Sequence, residues 1–253
     1  MKKILFLLFA GVILFSCSNK NDDFNGMAET RTEGAARTEV YTVKPVKRGS
    51  AEWKAMSWEE KTRASQIKEQ ALPKLTDEQL AFACVNYPKA LYFGTVNNQR
   101  DFIASLIKEF NGFGELMKRQ YGVKALIKFY KDLFFDVKRL QNTGEFDNFS
   151  SPQVLQYVEL LLSDPSMMNL MDTEDLKVLE DAAWDKYKIK RDNPDIYGLG
   201  NARGTLLLIA AIHLKTDNSL SRQEIDYLTE AVNTGHFPYE KEDTEEIYSI
   251  LRK

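Results

Sequence analysis

One four-residue device recurs along this chain and restricts the folds open to it. Thr76-Asp77-Glu78-Gln79, Ser221-Arg222-Gln223-Glu224 and Ser57-Trp58-Glu59-Glu60 each place a hydroxyl residue three positions ahead of Glu or Gln, and Asp172-Thr173-Glu174-Asp175 is a variant closed by Asp175. In that spacing the first side chain accepts from the backbone N–H three residues on, and the last reaches back to the first residue's N–H. Two otherwise orphaned donors at a helix start are thereby satisfied. Three of the boxes are flanked by an apolar pair at staple spacing, Leu75 with Leu80, Met171 with Leu176 and Leu220 with Ile225; the Ser57 box lacks the staple. Amphipathic runs fill the stretches between. Phe102, Ile103, Leu106, Ile107 and Phe110 share one face at helical spacing, as do Val123, Leu126, Ile127, Tyr130, Leu133, Phe134 and Val137. Ser151-Pro152 opens another helix with proline at its first position, followed by Leu155, Val158, Leu161 and Leu162; Leu176, Leu179, Ala183, Trp184 and Tyr187 form the next face. The segment 206–214 is apolar on nearly all sides and is expected to be a central, buried helix. There is no strand-like alternation, and no Asn-Gly or Asp-Gly turn joins β-rich runs. The expectation is an all-α body over residues 51–253, about eight to ten helices in an irregular bundle or a short helical array. The boxes are unevenly spaced and define no sequence repeat.

Residues 1–17 follow a different logic. Lys2 and Lys3 precede an apolar run from Ile4 to Phe15, and the run closes on Leu14-Phe15-Ser16-Cys17. A positive start, an apolar middle too short to span a bilayer and a small residue at the end describe an export signal. The closing tetrapeptide resembles the lipobox of bacterial lipoproteins, with Phe15 bulkier than the usual residue. The resemblance implies cleavage after residue 16 and lipidation of the Cys17 thiol. Each buried methylene contributes about 0.8 kcal/mol, so several acyl chains would hold the protein on a membrane. Ser18, where aspartate would favour inner-membrane retention, implies the outer membrane. Asn19-Lys20-Asn21-Asp22-Asp23 resembles, in diluted form, the acidic export signals of Bacteroidetes surface lipoproteins, so surface-exposed and periplasm-facing positions both stay open. From residue 17 to 50 apolar residues occur singly and no helical period persists. This stretch is expected to be a disordered tether, with a root-mean-square span of roughly 30 Å.

Composition bounds the function. The chain carries a net charge of −3, made more acidic by loss of Lys2 and Lys3, which argues against nucleic acid as a partner. With 43% hydrophobic residues it can build one sizeable core. Lipidation of Cys17 would leave Cys84 as the only thiol, in an apolar context that predicts a buried, inert side chain. The two histidines, His213 and His236, have no partner at metal-ligand spacing, and neither metal nor other cofactor is expected. The segment 215–221 is similar to the start of a calcium-binding loop, but Arg222 stands where glycine is needed and Leu228 where glutamate is needed. A helix–turn–helix joint capped by Ser221 accounts for it better. Tyr197-Gly198-Leu199-Gly200-Asn201-Ala202-Arg203-Gly204 is the most site-like stretch. Its glycines are expected to make a tight turn into the buried helix, with Tyr197, Asn201 and Arg203 as candidate ligand-binding residues. Asn111-Gly112-Phe113-Gly114 is expected to connect two helices. Trp53, Trp58 and Trp184 fit a core better than a sugar-stacking platform, and no pair of carboxylates is singled out for acid–base catalysis.

Two blocks carry a family resemblance. Trp58 to Pro88, above all Lys74-Leu75-Thr76-Asp77-Glu78-Gln79-Leu80 and Cys84-Val85-Asn86-Tyr87-Pro88, resembles uncharacterised secreted proteins of the Bacteroidales; so does Phe110-Asn111-Gly112-Phe113-Gly114-Glu115-Leu116 with Lys118-Arg119. The resemblance covers about a third of the chain and implies an envelope lipoprotein without implying an activity. Asn86 as a helix end and Pro88 as its stop give that block structural reasons of its own. Anchor, tether and the lack of a catalytic signature together favour a binding or assembly module at the outer membrane, held there by its N-terminal lipid and meeting an envelope protein or glycan. The alternative is an envelope- or polysaccharide-directed hydrolase whose carboxylates the sequence does not reveal.

Overall fold

Each of the four predicted capping boxes is closed by the side chains that the sequence assigns to it. In the computed structural model, which describes residues 50–133, 152–235 and 241–252, Ser57, Thr76, Asp172 and Ser221 all close reciprocal capping boxes, with Glu60, Gln79, Asp175 and Glu224 respectively. The helices are α1 (Ala51–Ala55), α2 (Trp58–Ala64), α3 (Asp77–Val85), α4 (Gln99–Glu109), α5 (Asn111–Lys118), α6 (Gly122–Asp132), α7 (Pro152–Leu162), α8 (Pro165–Met168), α9 (Thr173–Asp192), α10 (Pro194–Thr216), α11 (Arg222–Thr234) and α12 (Lys241–Leu251). Short 3-10 turns at Leu72–Lys74 and Ala90–Thr95 link the early helices, and there is no strand among the described residues. Ten of these helices are seven residues or longer, and the fold is all-α.

The architecture is organised around α7 and α10. The 23-residue α10, kinked near its start, packs against α9, α7, α11 and α12; its segment Leu206–Ile212 is buried throughout, as the apolar run predicts. Helix α7 lies between this C-terminal group and an N-terminal group formed by α3, α4, α5 and α6. One contiguous core therefore runs from Ile67 to Leu251. By contrast, α1 and α2 meet the rest through individual side chains, such as Trp53, which is buried, and Trp58, whose ring centre lies 6.1 Å from that of Phe102 in α4.

Two arginines tie loose ends to this core. Arg119 donates to the carbonyls of Leu72 (2.7 Å) and Leu75 (2.6 Å) and pairs with Asp77 and Glu115. Buried Arg100 donates to the carbonyls of Leu160 and Val232 (both 3.1 Å) and to Ser163 Oγ. These acceptors lie at the ends of α7 and α11, where carbonyls lack intrahelical partners.

One expectation is corrected and another narrowed. Residues 111–114 are no connection: α5 starts at Asn111, and Phe110 alone is both the end of α4 and the cap of α5. In residues 197–204 the expected turn into the buried helix is made by Gly198 alone (φ 68°, ψ 160°, a backbone region essentially reserved for glycine), which kinks α10; the other residues of the stretch are helical. The tether, Cys17, Phe134, Val137, Ser151 and His236 lie outside the described residues.

Candidate functional site

The most heavily buried polar cluster joins four helices. Glu159 comes from the middle of α7, where it interrupts an apolar run; Lys190 from the last turn of α9; Thr205 from α10; and Tyr130 from α6. None of the four is exposed at all. Lys190 Nζ reaches both carboxylate oxygens of Glu159 (2.8 Å each), Thr205 Oγ1 (2.9 Å) and the Asn201 carbonyl (3.1 Å). Tyr130 Oη and Thr205 Oγ1 donate to Glu159 Oε1 at 3.0 and 2.9 Å. An ion pair out of water survives only when its remaining valences are filled in this way. Burial pushes the Lys190 ammonium below the usual lysine range, with Glu159 acting against it, and burial together with the Glu159 charge raises the Tyr130 phenol. Gly204 makes the close approach of α10 to α7 possible: a Cβ there would lie 3.4 Å from Glu159 Oε2 and 3.3 Å from Gln156.

Lys186 sits one turn before Lys190, buried against α6. Its Nζ donates to the Leu133 carbonyl (3.0 Å) and lies 4.9 Å from the centre of the Tyr130 ring. Burial brings its pKa down to about 8.

Behind this cluster opens a cleft of about 60 Å³, lined by residues that include Tyr187, Lys190, Arg191, Gly198, Arg203 and Thr244. A liquid water takes up about 30 Å³ and drug-sized ligands need several hundred, so the cleft has room for a few waters or a small ion. The sequence-predicted trio converges here only in part. Arg203 lines the cleft and donates from Nε to Thr244 Oγ1 (2.9 Å), whereas Tyr197 is buried and Asn201 offers its backbone carbonyl to Lys190; neither is among the lining residues. All three belong to α10, on either side of the kink at Gly198. A second cleft, of about 170 Å³, is shallow and lined by Lys131, Val178, Asp181, Ala182, Asp185 and Lys186.

A separate polar cluster lies at the N-terminal end. Lys89 Nζ bonds Thr62 Oγ1 (2.6 Å), forms an ion pair with Glu109 and sits 3.4 Å from the centre of the Trp58 ring. Glu109 also accepts from Tyr87 Oη and from Trp58 Nε1 (3.1 Å). Burial alone would raise the Glu109 carboxyl; the Lys89 and Tyr87 hydrogen bonds outweigh it and hold the group below its ordinary value. Burial lowers Lys89, against the pull of Glu109, and raises Tyr87.

No family model matches this chain, and no curated protein or solved structure is found similar to it.

The remaining candidates fall into place as structure. Cys84 is buried, its thiol pushed well up by desolvation. His213 Nε2 lies 2.9 Å from Glu180, binding α10 to α9. Asp217 accepts from the Ser219 amide and hydroxyl, making the turn that Ser221 then caps. Trp53 and Trp58 both meet Tyr92, while Trp184 packs with Tyr187 and Tyr248. No group of His, Cys, Asp and Glu among the described residues is placed to hold a metal ion, and no described helix is long and apolar enough to cross a membrane. The buried Glu159–Lys190 pair went unread in the sequence, although a carboxylate alone in Val154–Leu162 was a signal that it must have a partner.

Proposed function

We propose that the protein is a lipoprotein of the outer membrane, moored through Cys17, whose helical body serves as a binding or assembly module at the cell envelope. The observation that carries this reading is the N-terminal sequence: two lysines, an apolar run and Leu14-Phe15-Ser16-Cys17. The family resemblance of 58–88 and 110–119 to secreted Bacteroidales proteins points the same way. Supporting the binding role, the two clefts described are small, so recognition would use the outer surface of the helices. The buried Glu159 and the half-buried Glu109 carboxylates are each held by a lysine, which gives them a structural occupation. The partner envisaged is an envelope protein or a glycan, and the negative net charge disfavours nucleic acid.

Metabolic labelling with an alkyne-bearing fatty acid tests the anchor. The full chain should carry the label and fractionate with the outer membrane, and Cys17→Ala should lose both. A mature chain that begins elsewhere, or an unlabelled Cys17, would overturn the reading. Protease treatment of intact cells then separates surface display from a periplasm-facing position. Cross-linking of the anchored protein in intact cells should capture a saturable envelope partner; recovery of the protein uncross-linked at every dose would count against a binding module.

A further inference from the structure

We infer that residues 50–66 form a strap that opens as a unit while the helical body stays folded, uncovering the amine of Lys89. This inference stands apart from the lipid anchor. The strap consists of α1, α2 and the turn to Gln66, and only Trp53, Ala64 and Ser65 in it are buried; Ile67, wholly covered, is where it joins the core. What fastens it is side-chain chemistry. Trp58 Nε1 donates to Glu109 and Trp53 Nε1 to Tyr92 Oη (3.3 Å), Thr62 accepts from Lys89, and Gln66 and Ile67 exchange hydrogen bonds with Asn111 at 2.6–3.0 Å. Gln66 also donates to the Glu109 carbonyl (3.1 Å). Glu109 is the common fastener, because it holds Trp58 of the strap and Lys89 and Tyr87 of the body on one carboxylate. Segments with few buried apolar contacts and half-exposed hydrogen bonds open at a small fraction of the global unfolding free energy. Meanwhile the Lys89 side chain is wholly covered, with the Trp58 ring centre 3.4 Å from its Nζ, and Trp58 itself is 38% exposed. The fate of the lysine therefore reports on the strap.

The experiment is competitive acylation of the full mature chain with an N-hydroxysuccinimide ester, read residue by residue by mass spectrometry. Lys128, with 64% of its side chain exposed, marks free access; Lys190, fully covered in the core, marks global unfolding. Lys89 is expected to label at a rate between the two, and Glu109→Gln to raise its labelling at least tenfold with Lys190 unchanged. Thr62→Ala, which removes the bond from Lys89 and the Thr62 bond to the Trp58 carbonyl but leaves Glu109 in place, should shift Lys89 in the same direction by a smaller factor. Lys89 labelling in step with Lys190, in the wild type or in both variants, would show one cooperative unit and overturn the inference. So would wild-type Lys89 labelling as fast as Lys128, since the strap would then not be closed.

Discussion

Lys190 and Lys186 stand four residues apart on α9 and are buried in different ways. Lys190 has a full set of partners, and Glu159 is the only one of them that carries charge. Lys190→Met leaves that carboxylate in the core with only two hydroxyl donors, and we expect a loss of about 3–5 kcal/mol in urea unfolding. Glu159→Met combined with Lys190→Met should recover most of it, because the desolvation cost of both charges disappears together. Equal losses in the single and double variants would contradict this account. Lys186 instead gives its protons to backbone carbonyls, and its pKa falls to about 8. Between about pH 8 and the ordinary lysine range the unfolded chain holds a proton there that the folded chain has released. Stability should therefore rise with pH from about 8 towards 10, and Lys186→Met should flatten that rise. Denaturant titrations at intervals across the window would read it directly.

At the scale of elements, glycine separates three situations that the sequence presents as one. At Gly122, the first residue of α6, a Cβ would lie 2.0 Å from the Leu116 carbonyl oxygen, and backbone cannot step aside. Gly122→Ala should cost about 2 kcal/mol or more. Gly198→Ala meets no neighbour but must adopt φ 68°, ψ 160°, at about 1–3 kcal/mol. Gly200→Ala has open space and helical backbone, and should stabilise by up to about 1 kcal/mol. Thermal melts of the three variants check the order. The same comparison explains what could be read in advance. Helix starts were legible because a capping box is local: Thr76 and Gln79 need only each other. The start of α5 was not, because what frees Asn111 to begin a helix is the pairing of its side chain with the Ile67 peptide, 44 residues away, and glycines at 112 and 114 look the same in a turn and in a helix. Of the glycines in 197–204, which together suggested a tight turn into the buried helix, Gly198 alone makes it, and nothing local distinguishes it from Gly200 and Gly204.

For the molecule as a whole, the long α7 contact connects the N- and C-terminal groups into one core, so the body should unfold in a single transition. Cys84 supplies a probe. It is fully buried in α3, and Tyr157 of α7 donates to its carbonyl (3.1 Å). Its reaction with a thiol reagent should follow the loss of helix seen by circular dichroism at the same denaturant concentration, and a thiol that reacts in native protein would refute a shared core. The all-α body was legible from its periodicity. The polar interior was not, since Glu159 meets Lys190 and Thr205 across 31 and 46 residues of chain, distances over which no local pattern extends. Of the three residues singled out on α10, only Arg203 lines the cleft, because the helix turns Asn201 and Tyr197 elsewhere.

Arg100 has an implication for how such a chain is made. Its Nε waits for the carbonyl of Val232, 132 residues downstream, while its NH1 is already served by Leu160. A nascent polypeptide emerging amino end first must leave that guanidinium wet until α11 arrives. Maturation would thus be withheld until nearly the last helix has been delivered, and a product cut short before residue 232 would lack α12 as well, baring to quality-control proteases the apolar interior that Ile247 and Leu251 help to close.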